Sequence, residues 1–123
     1  MNNFVFSKLN KTWIFDLDGT LVTHNGYKEN NEKLLDGVKD FFKQIPNDDF
    51  VLILTSRSSS LKEDTENFLK KENIKYNQII YDLPHGERIL VNDRKPSGLK
   101  TAYAVNKNRD EPLNISYIED NSL

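Results

Sequence analysis

Apolar residues fall along this chain in two rhythms. Trp13-Ile14-Phe15, Phe50-Val51-Leu52-Ile53-Leu54 and Ile89-Leu90-Val91 are short unbroken runs, the pattern of strands buried on both faces. Leu34, Leu35, Val38, Phe41, Phe42 and Ile45 instead recur at three- and four-residue spacing, which predicts an amphipathic helix over 31–45, stopped by Pro46. Ser60-Leu61-Lys62-Glu63 has the form of a capping box and predicts a second helix over 61–72, with Leu61, Phe68 and Leu69 facing inward. A third strand is expected from Asn77 to Asp82, a loop from Leu83 to Arg88, and the fourth strand at Ile89-Leu90-Val91. Leu99 to Lys107 read as a helix after the breakers Pro96 and Gly98, and Asn114 to Ile118 as the last strand. Asn25-Gly26, flanked by Leu21 to His24 and Tyr27-Lys28, predicts a tight hairpin. Phe4-Val5-Phe6 fits either a short edge strand or a flap.

Alternation of strands and helices at these lengths predicts an α/β fold: a parallel sheet with helices on both faces and right-handed crossovers. With 123 residues, the chain is read as one domain over 1–123. Ligands of such sheets lie beyond the carboxyl ends of the strands. Asp16, Thr55 and Asp93 are expected at such ends.

The first of these ends is chemically unusual. Trp13-Ile14-Phe15 runs into Asp16-Leu17-Asp18-Gly19-Thr20, two carboxylates one residue apart in a turn. Both ionised at about 5 Å, they repel by roughly 3 kcal/mol at an effective dielectric near 20. A cation or a shared proton removes that cost. Such a pair can also divide its labour, one member acting as nucleophile and the other as general acid and base. An acidic turn without chemistry is the plain alternative.

Asp16-Leu17-Asp18-Gly19-Thr20 resembles the D-x-D-G-T signature of the haloacid dehalogenase (HAD) superfamily, most of whose members are Mg-dependent phosphohydrolases. The resemblance implies a three-layer sandwich around a mainly parallel five-stranded Rossmann-like sheet, in the strand order fifth-fourth-first-second-third. No interval has room for a cap domain, as in capless members, whose sites are open to large substrates or covered by a neighbouring subunit of a homo-oligomer. The implied reaction passes through an aspartyl phosphate: Asp16 attacks phosphorus, while Asp18 protonates the leaving oxygen and then activates water. Mg²⁺ would be held by Asp16, the Asp18 backbone carbonyl and Asp93. Thr55 matches the hydroxyl of the superfamily's second motif. Gly19, Thr20, Ser56, Arg57 and His24 stand where they could contact the substrate.

Two departures from the pattern stand out. The usual lysine before the fourth strand is missing, leaving Lys95 or Arg88 to replace it, with Lys95 favoured; and Asn92-Asp93-Arg94 supplies one acid where two are common. The segment Asn92 to Pro96 is similar to that of small bacterial members linked to surface sugars, which suggests a sugar-phosphate or nucleotide-sugar intermediate as the phosphorylated substrate. A non-catalytic HAD-like binding or regulatory module is the alternative that the thin metal site supports. A receiver domain, with Asp82 as its phosphoacceptor, is a third reading.

Composition narrows the partners. A net charge of −2 offers no basic field for nucleic acid. No apolar run is long enough to span a bilayer, and the first residues lack the form of a signal peptide, so a soluble, cytoplasmic protein is expected. With no cysteine and two histidines, oxygen ligands are the expectation for any metal.

Overall fold

The strand-forming runs divide into two parallel sheets instead of joining in one. The computed structural model describes residues 2–123. Its strands are β1 (Asn2–Phe6), β2 (Thr12–Asp16), β3 (Phe50–Leu54), β4 (Gln78–Ile80) and β5 (Ile115–Glu119), with helices α1 (Val38–Gln44) and α2 (Lys62–Lys71). β1 pairs with β5 in one sheet, and the other has the order β2-β3-β4.

In the three-stranded sheet, Trp13 lies opposite Val51 and Phe15 opposite Ile53, so these four side chains share a face. That face meets α1: Phe41 stands edge-on to Trp13 at 5.3 Å, and Phe42 lies 4.8 Å from Phe15. Leu17, Leu21, Val22, Leu69 and Ile74 extend the same buried cluster. The expectation that β2 is covered on both faces does not hold, because Ile14, pointing the other way, is 48% exposed. Alternation, not continuous burial, describes this strand.

α1 begins at Val38, seven residues later than its apolar spacing predicts. Gly37 takes φ 85°, a left-handed turn that a helix interior does not accommodate. Leu34 and Leu35 lie before it in extended chain, where Leu35 donates its N–H to the Leu21 carbonyl at 2.9 Å and Thr23 donates to Lys33 at 3.1 Å. The expected tight hairpin at Asn25-Gly26 is therefore a wider reversal. Its tip is the 3₁₀ turn Gly26–Glu29, entered through left-handed Asn25.

The five-stranded sheet and its three-layer sandwich are overturned by the region between β4 and β5. Ile89, Leu90 and Val91 form no strand and are 86, 59 and 88% exposed. Ordering a residue's backbone costs about 1–2 kcal/mol, and a three-residue run between Pro84-His85-Gly86 and Pro96-Ser97-Gly98 has few ladder positions to offset it. The helix expected at 99–107 is absent too. Tyr103 packs instead on Phe4 and Phe6, with ring centroids 5.5 and 5.1 Å apart. Phe6 and Tyr117 in turn lie 6.3 and 5.8 Å from Trp13, so ring contacts, not a backbone ladder, join the β1-β5 sheet to β2. No helix of the described residues is long and apolar enough to cross a membrane.

Candidate functional site

β2 ends at Asp16, and the chain turns at once. Leu17 O accepts from the N–H groups of Leu21 and Val22 at 2.9 and 3.2 Å, while Gly19 N–H donates to Val22 O at 2.7 Å. Gly19 needs φ +83° to make this turn, and a Cβ there would press on the Arg109 side chain at 3.2 Å. The turn is braced from outside by the segment before β5. Asp110 N–H donates to Gly19 O at 2.9 Å, and Lys107 Nζ donates to the same oxygen at 3.2 Å. Burial lowers the pKa of Lys107, and the charges of Asp110 and Glu111 partly offset this.

The two carboxylates face different arginines. Asp18 is gripped by Arg57, whose Nε and Nη2 donate to its two oxygens at 3.0 and 2.8 Å. Nη1 of the same guanidinium donates to Thr65 Oγ1 at 3.0 Å, and Nη2 also bonds Glu32. The Tyr27 ring covers it, 4.1 Å from Cζ to centroid. Arg57 is only 4% exposed. Burial pulls its pKa down, but hydrogen bonds and charge from Asp18 and Glu32 outweigh this and leave it above the ordinary value.

Asp16 lies nearer solvent. Arg88 Nη1 donates to its Oδ1 at 2.9 Å and Thr20 Oγ1 donates to its Oδ2 at 3.0 Å. The side chains of Asp16 and Arg88 are 39 and 37% exposed, which leaves the carboxylate reachable. The repulsion expected between Asp16 and Asp18 is thus relieved by two guanidinium groups, one buried and one at the surface.

Asp93 does not join them. Its backbone carbonyl accepts from Thr101 Oγ1, Asn92 Nδ2 reaches Thr101 Oγ1 at 3.0 Å, and Asp93 is exposed. Among the described residues no three Asp, Glu, His or Cys groups gather to hold a metal ion. The residues therefore do not fit the Mg²⁺ site implied by the resemblance: Asp93 is missing from it, and a divalent ion at Asp16 would have to displace the Arg88 guanidinium.

Several other expected site residues serve the scaffold. Thr55 is 1% exposed, and its hydroxyl accepts from Arg57 N–H at 3.0 Å, which ties it to the loop after β3. Ser56 donates to Pro84 O at 3.2 Å, and His24 contributes its backbone N–H to Asp110 at 2.8 Å. Asp82, the receiver-type acceptor, braces the loop opposite by accepting from Ser59 N–H at 3.0 Å.

Lys95 lines a groove of about 690 Å³ whose walls include Asp16 and Thr20, while Arg88 makes the direct contact with Asp16. Glu32, Thr65 and Tyr27 carry no signal in the sequence, because nothing local to them marks a partner as distant along the chain as Arg57. No known protein family, curated protein or solved structure matches this chain.

Proposed function

We propose that this chain is a phosphohydrolase of the HAD type whose nucleophile is Asp16. The observation that carries the reading is the ion pair of Asp16 with Arg88 at the carboxyl end of β2, half-exposed beside a groove. The resemblance of Asp16-Leu17-Asp18-Gly19-Thr20 to the superfamily's signature supports it. An Asp16 oxygen attacks phosphorus, and the bond from phosphorus to the leaving oxygen breaks with its electron pair staying on that oxygen. Water then attacks the acyl phosphate, returning the carboxylate and releasing orthophosphate and a proton. Arg88 and the Thr20 hydroxyl stabilise the charge on the transferring oxygens. Arg57 fixes Asp18 and, through it, the turn that aims Asp16. Its substrate is a phosphorylated small molecule, and it works in the cytoplasm.

Phosphate release from p-nitrophenyl phosphate tests this directly. Asp16→Asn abolishes turnover and Arg88→Ala lowers it by roughly 10²-fold or more, the scale of losing one preorganised donor. Turnover retained in Asp16→Asn overturns the reading. A second reading, a binding module without catalysis, is favoured by the Arg57 grip on both oxygens of Asp18, which denies that residue a proton-shuttling role. It predicts orthophosphate binding without hydrolysis of any ester.

A further inference from the structure

We propose that the groove beside Asp16 takes a nucleoside diphosphate, cleaved at its phosphoanhydride bond. This rests on the hydrolase reading for its chemistry but on separate observations for its ligand.

The first observation concerns the leaving group. Both Asp18 oxygens accept from a buried guanidinium, so neither is turned towards a leaving group. A leaving group at this site departs as an anion that needs no protonation. Simple alkyl phosphates are poor candidates on that ground, whereas a phosphoanhydride releases a phosphate that is already a stable anion. Asp16 then takes the terminal phosphoryl group: its carboxylate oxygen forms the new bond to phosphorus, the bridging P–O bond breaks, and the electron pair leaves on the nucleoside monophosphate. Water attacks the acyl phosphate, so that one water is consumed and orthophosphate and one proton are released.

The second observation is the field of the groove. Lys11, Lys95, Lys100 and Lys107 line it, against Asp16 as the one acid, a local excess of positive charge in a chain whose net charge is −2. Lys11 and Lys107 are engaged with backbone carbonyls. Among the described residues, the Lys95 ammonium has no hydrogen-bond or ion-pair partner, which leaves it to meet the departing phosphate.

The third is the wall. Phe4, Phe6 and Tyr103 form a cluster of mutually edge-on and stacked rings along the groove, and Lys100 Nζ sits 5.0 Å over the Tyr103 ring. A planar base stacks on such a surface, and about 690 Å³ is the volume of an ordinary small-ligand site. An aryl phosphate would use the rings but leave the lysines without a second anion, so the nucleotide is the better match.

Trp13 is the sole tryptophan and lines the groove, so its fluorescence reports occupancy. The intact protein is titrated with ADP, and orthophosphate release is followed from ADP, p-nitrophenyl phosphate and glycerol phosphate. Saturable change at Trp13 is expected, with release from ADP and p-nitrophenyl phosphate well above that from glycerol phosphate. Lys95→Ala weakens ADP binding by roughly tenfold or more, as for loss of one charged hydrogen bond, while the exposed helix residue Lys62→Ala leaves it unchanged. ADP binding with no orthophosphate release from ADP or from either ester would uphold the ligand and overturn the hydrolase. Hydrolysis of p-nitrophenyl phosphate with no Trp13 response to ADP, or ADP binding untouched by Lys95→Ala, overturns the nucleotide as the occupant of this groove.

Discussion

Replacing Arg57 with alanine removes the group that ties together Asp18, Glu32, Thr65 and Tyr27. Arg57 is 4% exposed, and the side chains of its carboxylate partners Asp18 and Glu32 are 20 and 14% exposed. Its loss leaves two poorly hydrated carboxylates facing one another, Thr65 without its donor, and Tyr27 over a void. Removing one partner of a buried ion pair costs about 3–5 kcal/mol; the residual solvent at Asp18 and Glu32 places this case near the lower end, about 3 kcal/mol. For a chain of this size that is a fall in Tm on the order of 10 °C. Urea unfolding at neutral pH, followed by Trp13 fluorescence and circular dichroism, measures it. Arg57→Lys recovers part of the loss, since one ammonium cannot span both oxygens of Asp18. A combined Arg57→Met, Asp18→Asn, Glu32→Gln variant is more stable than Arg57→Ala, because it leaves no charge unpaired. A loss below about 1 kcal/mol for Arg57→Ala would refute the buried network, since that is the range of an exposed pair.

Alkaline pH probes a second buried network. Burial raises the pKa of Tyr81, and its hydrogen bond to Glu66 at 3.0 Å and that residue's charge raise it further. Because the folded value lies above the unfolded one, its stabilisation is complete below about pH 10 and is lost as pH rises towards the folded value. Stability measured from pH 9 upward should fall less steeply in Tyr81→Phe than in the wild type, and equal slopes would contradict the assignment. Gly37→Ala costs about 2 kcal/mol or more in urea unfolding, since φ 85° disfavours a side chain and a Cβ would overlap the Leu113 carbonyl oxygen; a neutral substitution there would show that the α1 start is misplaced. Asp93→Asn leaves phosphate release at the wild-type rate, and a loss comparable with that of Asp16→Asn would put Asp93 back at the site.

Periodicity made the central part of the fold legible. The runs at Thr12–Asp16 and Phe50–Leu54 are strands, α2 lies within a residue of its predicted bounds, and the aromatics of α1 are core. What could not be read was the competition for the space beside β2. Ile89-Leu90-Val91 has the composition of a buried strand, yet short apolar runs carry no information about whether a partner edge is free. In this fold Phe4, Phe6 and Tyr103, distant in sequence, wall that space with rings. At the site, the position of Asp16 after an apolar run was visible, and so was the need to neutralise two adjacent acids. The means was not: the sequence favours a shared metal, whereas Arg57 and Arg88 arrive from loops whose placement depends on tertiary contacts. Gly37 illustrates the same limit on a smaller scale, since the apolar spacing passes through it without interruption.

The nucleophilic role of Asp16 is tested most directly by trapping the intermediate. Incubation with a small acyl phosphate donor, reduction with borohydride and peptide mapping by mass spectrometry should locate the modified carboxyl at Asp16 in the wild type and nowhere in Asp16→Asn. Modification at Asp82, or none at any aspartate, would contradict the account.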